Sequence, residues 1–237
     1  MVPPIQESLK KSISSLKERG EEVRWGYRLT QLFLQAIFKG LFGLKVIGRE
    51  NIPSKGPFII ASNHQSWFDP PIVGSSCPRE LAYAAKAELF RNLVLGPVVK
   101  YFNAIPVKRK GFDRLAIREL EKRIENAQGV VIFPEGTRFL DGKLRPPRPG
   151  IGMLMAKYNV PVIPTFVDGS RRLRYQIGKR ALKITFGIPF LPSELQLSDI
   201  PGNDLYDRYA WAVMERIAQT GGVSPPHIRS DPQHTSI

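Results

Sequence analysis

The stretch DRLAIRELEKRIENAQGVVIF, residues 113–133, is a helix that runs into a buried strand. Asp113 is the helix cap, and Ile117, Leu120, Ile124 and Ala127 recur at helical spacing, with Gly129 just past the end. Val130 to Phe133 is then apolar throughout and bounded by Gly129 and Pro134. A strand covered on both faces shows that continuous pattern, whereas a half-exposed one alternates. Such strands belong to a largely parallel sheet lying between two layers of helix.

The same alternation continues outward. Strands are read at 44–47, 58–61, 81–85, 104–107, 162–167 and 183–186. Helices are read at 70–75, 88–101 and 204–219, the last with Tyr206, Tyr209, Val213 and Ile217 on its apolar side. The expected architecture is α/β: a three-layer domain with a mixed, largely parallel central sheet flanked by helices. It occupies residues 44–220, and residues 221–237 read as a disordered tail. Gly150-Ile151-Gly152 lacks the third glycine of a nucleotide loop and reads as the start of a helix.

Residues 1–43 form a separate region of membrane-associating helices. Glu7 to Glu22 is a charged helix, and Arg24 to Lys45 crowds Trp25, Leu29, Leu32, Phe33, Phe38 and Leu41 among Arg28, Lys39 and Lys45. The apolar run is shorter than the roughly 20 residues that span a bilayer. Two arrangements fit it: a helix, or a short re-entrant pair, lying in the membrane interface, and a helix packed on the domain core.

At 237 residues the chain suits a single domain. Lys+Arg 35 against Asp+Glu 21 gives a net charge of +14, which calls for an anionic partner. The basic residues are scattered and no recognition-helix or RNA-binding pattern is present, so no nucleic acid is expected. Cys77 is the single cysteine, which excludes intrachain disulfides and cysteine zinc sites. His227 and His234 lie in the polar tail, so neither a metal nor a cofactor is expected. Met1-Val2-Pro3-Pro4 opens no secretory signal pattern, which places the domain on the cytoplasmic side.

Asn63-His64-Gln65-Ser66-Trp67-Phe68-Asp69 carries the chemistry. Histidine moves protons near neutral pH, and a carboxylate can fix its tautomer. Positions five apart do not share a helix face, so His64 and Asp69 meet only if the chain turns between a strand and a helix. Asp69-Pro70 is also a plain helix start, with Asp as N-cap and Pro at the first position.

Four stretches in order resemble motifs of the glycerolipid acyltransferases, in particular the bacterial 1-acylglycerol-3-phosphate (lysophosphatidic acid) acyltransferases. Asn63, His64 and Asp69 match N-H-x-x-x-x-D. Asn103-Ala104-Ile105-Pro106-Val107-Lys108-Arg109 matches the second motif in part, with Asn103 where glycine is usual and Pro106 where an aromatic is usual. Phe133-Pro134-Glu135-Gly136-Thr137-Arg138 and Val160-Pro161-Val162-Ile163-Pro164 are complete third and fourth motifs.

The resemblance implies transfer of a fatty acyl group from an acyl-carrier-protein or coenzyme A thioester to lysophosphatidic acid, giving phosphatidic acid. It makes His64 the general base and Asp69 its carboxylate partner. Arg138, Gly136, Thr137 and Arg109 would then hold the acceptor's phosphate, with Lys86 as a further candidate. Glu135 fits two roles, orienting Arg138 or bonding a glycerol hydroxyl. The fourth motif would be a buried strand whose prolines shape an acyl-chain channel. Arg171-Arg172-Leu173-Arg174 would face anionic lipid or the acidic carrier, or be a solvated loop. The implied location is the cytoplasmic face of the cell membrane, held peripherally.

Overall fold

The computed structural model describes residues 23–93, 95–107, 114–175, 177–179 and 181–226, excepting the side chains of residues 95, 172 and 174. The expected charged helix at 7–22, the Asp113 cap, Arg109 and residues 227–237 lie outside this set.

Seven strands form one sheet: β1 (Lys45–Ile47), β2 (Phe58–Ser62), β3 (Leu81–Lys86), β4 (Ala104–Val107), β5 (Gly129–Ile132), β6 (Val162–Asp168) and β7 (Lys183–Phe186). Their spatial order is β1-β7-β6-β2-β5-β3-β4, and only the β6–β7 pairing is antiparallel. Strands β2 to β6 therefore point the same way and release their chains at one edge.

Among the described residues, six α-helices flank the sheet: α1 (Trp25–Phe42), α2 (Asp69–Ser76), α3 (Leu95–Tyr101), α4 (Arg114–Glu125), α5 (Gly150–Lys157) and α6 (Leu205–Gly221). Successive residues of β2 enter opposite cores, as a two-residue side-chain period requires. Ile59 and Ala61 pack with Leu120, Ile124, Leu154, Val213 and Ile217 from α4, α5 and α6. Phe58 and Ile60 pack with Phe38, Phe42, Ile72 and Val73 from α1 and α2. The expected three layers are present.

Three local expectations change. The helix read at 88–101 is two pieces, a 3₁₀ turn at Ala87–Arg91 and α3. Pro97 is the reason: it has no N–H to donate and disfavours helical geometry at the residue before it, so it is accommodated in a first turn. In α6 the apolar side begins later than read, because Tyr206 is 41% exposed while Ala210, Val213, Met214 and Ile217 are buried. Gly152 is a packing glycine, since a Cβ there would overlap the Tyr206 carbonyl where α5 meets α6.

Helix α1 packs on the domain core along one side. Tyr27, Gln31, Phe38 and Phe42 are buried, and Gln31 Nε2 donates to the carbonyls of Gly74 and Cys77, each at 3.0 Å. The opposite side exposes Trp25, Leu29, Leu32, Phe33 and Leu41. Gly43 ends the helix in left-handed geometry (φ 64°), with its N–H on Lys39 and that of Leu44 on Phe38. At the start, Arg24 grips Glu80 at 2.9 Å. No helix among the described residues is long and apolar enough to cross a membrane.

Candidate active site

The carboxyl ends of β2, β5 and β3 are adjacent, so the loops after them share one rim, the usual ligand position in open α/β sheets. The loop after β2 carries His64, the loop after β5 carries Glu135 to Arg138, and β3 ends in Lys86.

Asn63 anchors the first loop. Its side chain donates to the Val167 carbonyl (3.0 Å) and accepts from the Val167 N–H (2.7 Å), so it fastens the end of β2 to β6 while fully buried. The chain then turns, and His64 Nδ1 meets Asp69 Oδ2 at 3.0 Å. The same oxygen accepts the backbone N–H groups of Gln65 (2.6 Å) and Ser66 (2.7 Å). An oxygen receiving those two donors acts as an acceptor, so Nδ1 carries the proton and Nε2 of the neutral ring is the proton acceptor. Asp69 is completely buried, whereas the His64 side chain is 16% exposed. Asp69 opens α2 without capping it: the N-cap position is Phe68, and the carboxylate turns back into the loop. Three donors there outweigh the single N–H that a cap would satisfy.

The loop after β5 holds His64 from outside. Phe133 stacks on the imidazole with ring centroids 4.1 Å apart. Glu135 Oε1 accepts the His64 N–H (3.0 Å), and the Phe139 N–H donates to the His64 carbonyl (3.1 Å). The His64 N–H is thus tied to the third motif and its carbonyl to the residue just after that motif. Neither role foreseen for Glu135 is the one this bond gives it, which is to position the histidine. Gly136 lies at φ 70°, and its N–H closes a turn onto the Phe133 carbonyl (2.9 Å). The turn consumes a donor that the sequence offered to phosphate. Thr137 lies half-buried in the same turn.

Arg138 and Lys86 converge on Trp67, which neither was expected to touch. The Arg138 Cζ lies 3.4 Å and the Lys86 Nζ 5.6 Å from its ring centroid. Phe133, Phe139 and Trp67 were missed as site residues. All three lie in or beside quoted motifs, but no spacing rule tells which aromatic will face an imidazole or a guanidinium.

The departures in the second motif fit their places. Asn103 adopts φ 56°, a conformation natural to glycine that asparagine tolerates, and its amide bonds Glu80 and Arg24. Pro106 sits on the edge strand β4, where a missing N–H costs least. In the fourth motif Val160, Val162 and Ile163 are fully buried in the two cores. Arg171 donates to the Leu140 carbonyl (3.2 Å), and Leu173 is buried, so the Arg171–Arg174 run is a docked 3₁₀ turn.

Burial drives the Glu135 carboxyl up to about 7, with the Asp69 charge adding to the rise and backbone N–H bonds from His64 and Arg145 opposing it. Its ordinary value is 4.5, so the folded chain holds this proton through a pH window in which the unfolded chain has released it. Stability must therefore fall as pH rises from about 4.5 through about 7. Glu135→Gln keeps an acceptor for His64 but does not titrate. Its unfolding free energy relative to wild type should rise by on the order of 3 kcal/mol between about pH 5 and about pH 8. Urea unfolding at the two pH values reads this, and an unchanged difference would overturn it.

The acyltransferase family model matches residues 43–168, more than half of the chain. The chain is similar to the 1-acyl-sn-glycerol-3-phosphate acyltransferase of Bacillus subtilis (strain 168), 27% identical over 194 residues that cover 81% of this chain and 96% of that protein. It is also similar to the 1-acyl-sn-glycerol-3-phosphate acyltransferase of Borreliella burgdorferi, 31% identical over 144 residues, 58% of each chain. The crystal structure of the 1-acyl-sn-glycerophosphate (LPA) acyltransferase of Thermotoga maritima matches with a TM-score of 0.65 at 25% identity, covering 83% of this chain and 78% of that one. With the family model spanning the strands and both loops that meet at His64, the chain belongs to the acyltransferase family.

Proposed function

We propose that this protein transfers a fatty acyl group from a thioester to the sn-2 hydroxyl of 1-acyl-glycerol-3-phosphate, giving phosphatidic acid. The observation that carries the reading is the meeting of the Asp69-held imidazole and the Arg138 and Lys86 cations at one sheet edge. The named relatives supply the substrate class.

In this mechanism His64 Nε2 takes the acceptor's hydroxyl proton as the oxygen attacks the thioester carbonyl. A new C–O bond forms, the C–S bond breaks, and the proton passes from the imidazolium to the leaving thiolate. Asp69 keeps the ring in the required tautomer and balances the charge that forms on it. Arg138 presents a planar fork to the phosphate oxygens and Lys86 a point charge, with Arg109 as a third cation. The donor is acyl-carrier protein or coenzyme A thioester, and no metal or cofactor takes part.

The exposed apolar side of α1, edged by Arg28 and Lys39, supports peripheral attachment to an anionic membrane on its cytoplasmic face. The test is acyl transfer by purified protein with lysophosphatidic acid and both thioester donors, beside lysophosphatidylcholine. Turnover of the phosphate monoester alone is expected. In the same assay Arg138→Ala should raise the acceptor KM by about 10–100-fold, since losing a charge-assisted bond costs roughly 1.5–3 kcal/mol. A selective effect on the thioester KM would count against phosphate binding by Arg138.

A further inference from the structure

We propose that Trp67 is a positioning residue that assembles the phosphate subsite, holding Arg138 and Lys86 on one indole so that both reach the same phosphate monoester. The inference rests on the acyl-transfer reading above and adds a residue that none of the motifs assigns.

The three side chains come from three loops. Trp67 follows β2, Arg138 follows β5, and Lys86 ends β3, with β5 between the other two strands. The indole thus reaches across the loop after β5 to gather cations from two strand ends. Two positive side chains brought together repel one another and tend to splay apart in water. The negative face of an aromatic ring opposes that splaying without neutralising either charge. At 3.4 Å from the centroid, the Arg138 guanidinium is in van der Waals contact with the ring face, and Lys86 at 5.6 Å is within reach of the same attraction.

Trp67 lies outside both hydrophobic cores that the described residues form. It is 59% exposed, although it stands three residues from His64. A carboxylate could gather the same two cations, but it would spend their charge. An indole gathers them through its ring face and brings no formal charge of its own. The fork of Arg138 and the mobile ammonium of Lys86 then suit a dianionic phosphate monoester better than a monoanionic diester. Tryptophan at this position therefore acts on acceptor recognition, and through the shared loop it fixes the phosphate's distance from His64.

The experiment combines steady-state kinetics with lysophosphatidic acid and calorimetric titration of sn-glycerol 3-phosphate and inorganic phosphate. Trp67→Ala should raise the acceptor KM and the Kd for sn-glycerol 3-phosphate by about tenfold, with kcat changed far less and the thioester KM unmoved. Trp67→Phe keeps a ring face and should recover most of the loss, which also separates recognition from misfolding. An unchanged or lower acceptor KM in Trp67→Ala, a loss confined to kcat, or no recovery by phenylalanine would overturn the proposal. So would wild-type protein that binds no sn-glycerol 3-phosphate. Wild-type protein that binds this probe in a Trp67-dependent way yet acylates no lysophosphatidic acid would sink the acyl-transfer reading and leave the subsite standing.

Discussion

His64→Ala is expected to abolish acyl transfer, lowering kcat by about 10²–10⁴-fold, the range that a positioned general base contributes. The loss should appear in kcat, because the cations proposed to hold the acceptor come from the loop after β5 and the end of β3, which the change does not touch. The fold should survive, since the contacts that anchor the loop here run through the His64 main chain to Glu135 and Phe139, and through Asn63 to Val167. Alanine retains every one of them. Kinetics beside a thermal melt separate the two readouts. Activity that persists above a hundredth of wild type, with the melt unchanged, would remove His64 from the chemistry.

Asp69 should divide into two effects. In Asp69→Asn the amide oxygen can take the place of Oδ2 and keep the bonds from His64 Nδ1, Gln65 and Ser66, but it carries no charge to offset the imidazolium. A fall in kcat of about 10²–10⁴-fold with a nearly wild-type fold is expected. Asp69→Ala removes the acceptor itself and leaves two backbone N–H groups unpaired beside a buried position. Each such loss costs about 1–3 kcal/mol, so this variant should also melt several degrees lower. Equal stability in the alanine and asparagine variants would show that the carboxylate does not hold the loop.

Both expectations rest on one division of labour at the sheet edge. Backbone groups and buried side chains fix where His64 stands, and the exposed part of the ring is left for substrate. Glu135 shows how an acid can lie in a site proposed to hold a phosphate. Burial holds its proton up to about 7, so near neutrality it is only partly charged, and it faces the histidine main chain.

Most of the sheet was legible along the chain. Val130 to Phe133 is a continuous apolar run between Gly129 and Pro134, and Val162 to Val167 is interrupted only by Pro164 and Thr165, so burial on both faces leaves few other solutions for them. Ile117, Leu120 and Ile124 pack where their spacing placed them, whereas Ala127 lies past the end of α4 in left-handed geometry at φ 60°. The 88–101 segment was misread because apolar spacing was weighed above Pro97, whose missing N–H decides where a helix can begin.

The His64–Asp69 contact was legible too, because a five-residue separation at a strand end permits it only through a turn, and a turn is local. Local covalent order reaches about as far as one strand, one turn and one helix cap. The partners of His64 in other loops were not legible: Phe133 on its ring, Glu135 and Phe139 on its main chain, and the indole that collects Arg138 and Lys86. Those contacts exist because β5 lies between β2 and β3, an order set by which buried faces match across the whole sheet. Four motifs in order, through the family they resemble, were enough to point to acyl transfer. The folded sheet settled which side chains stand close enough to help it, because that proximity depends on strand order, and strand order is a property of the packed core rather than of any single segment.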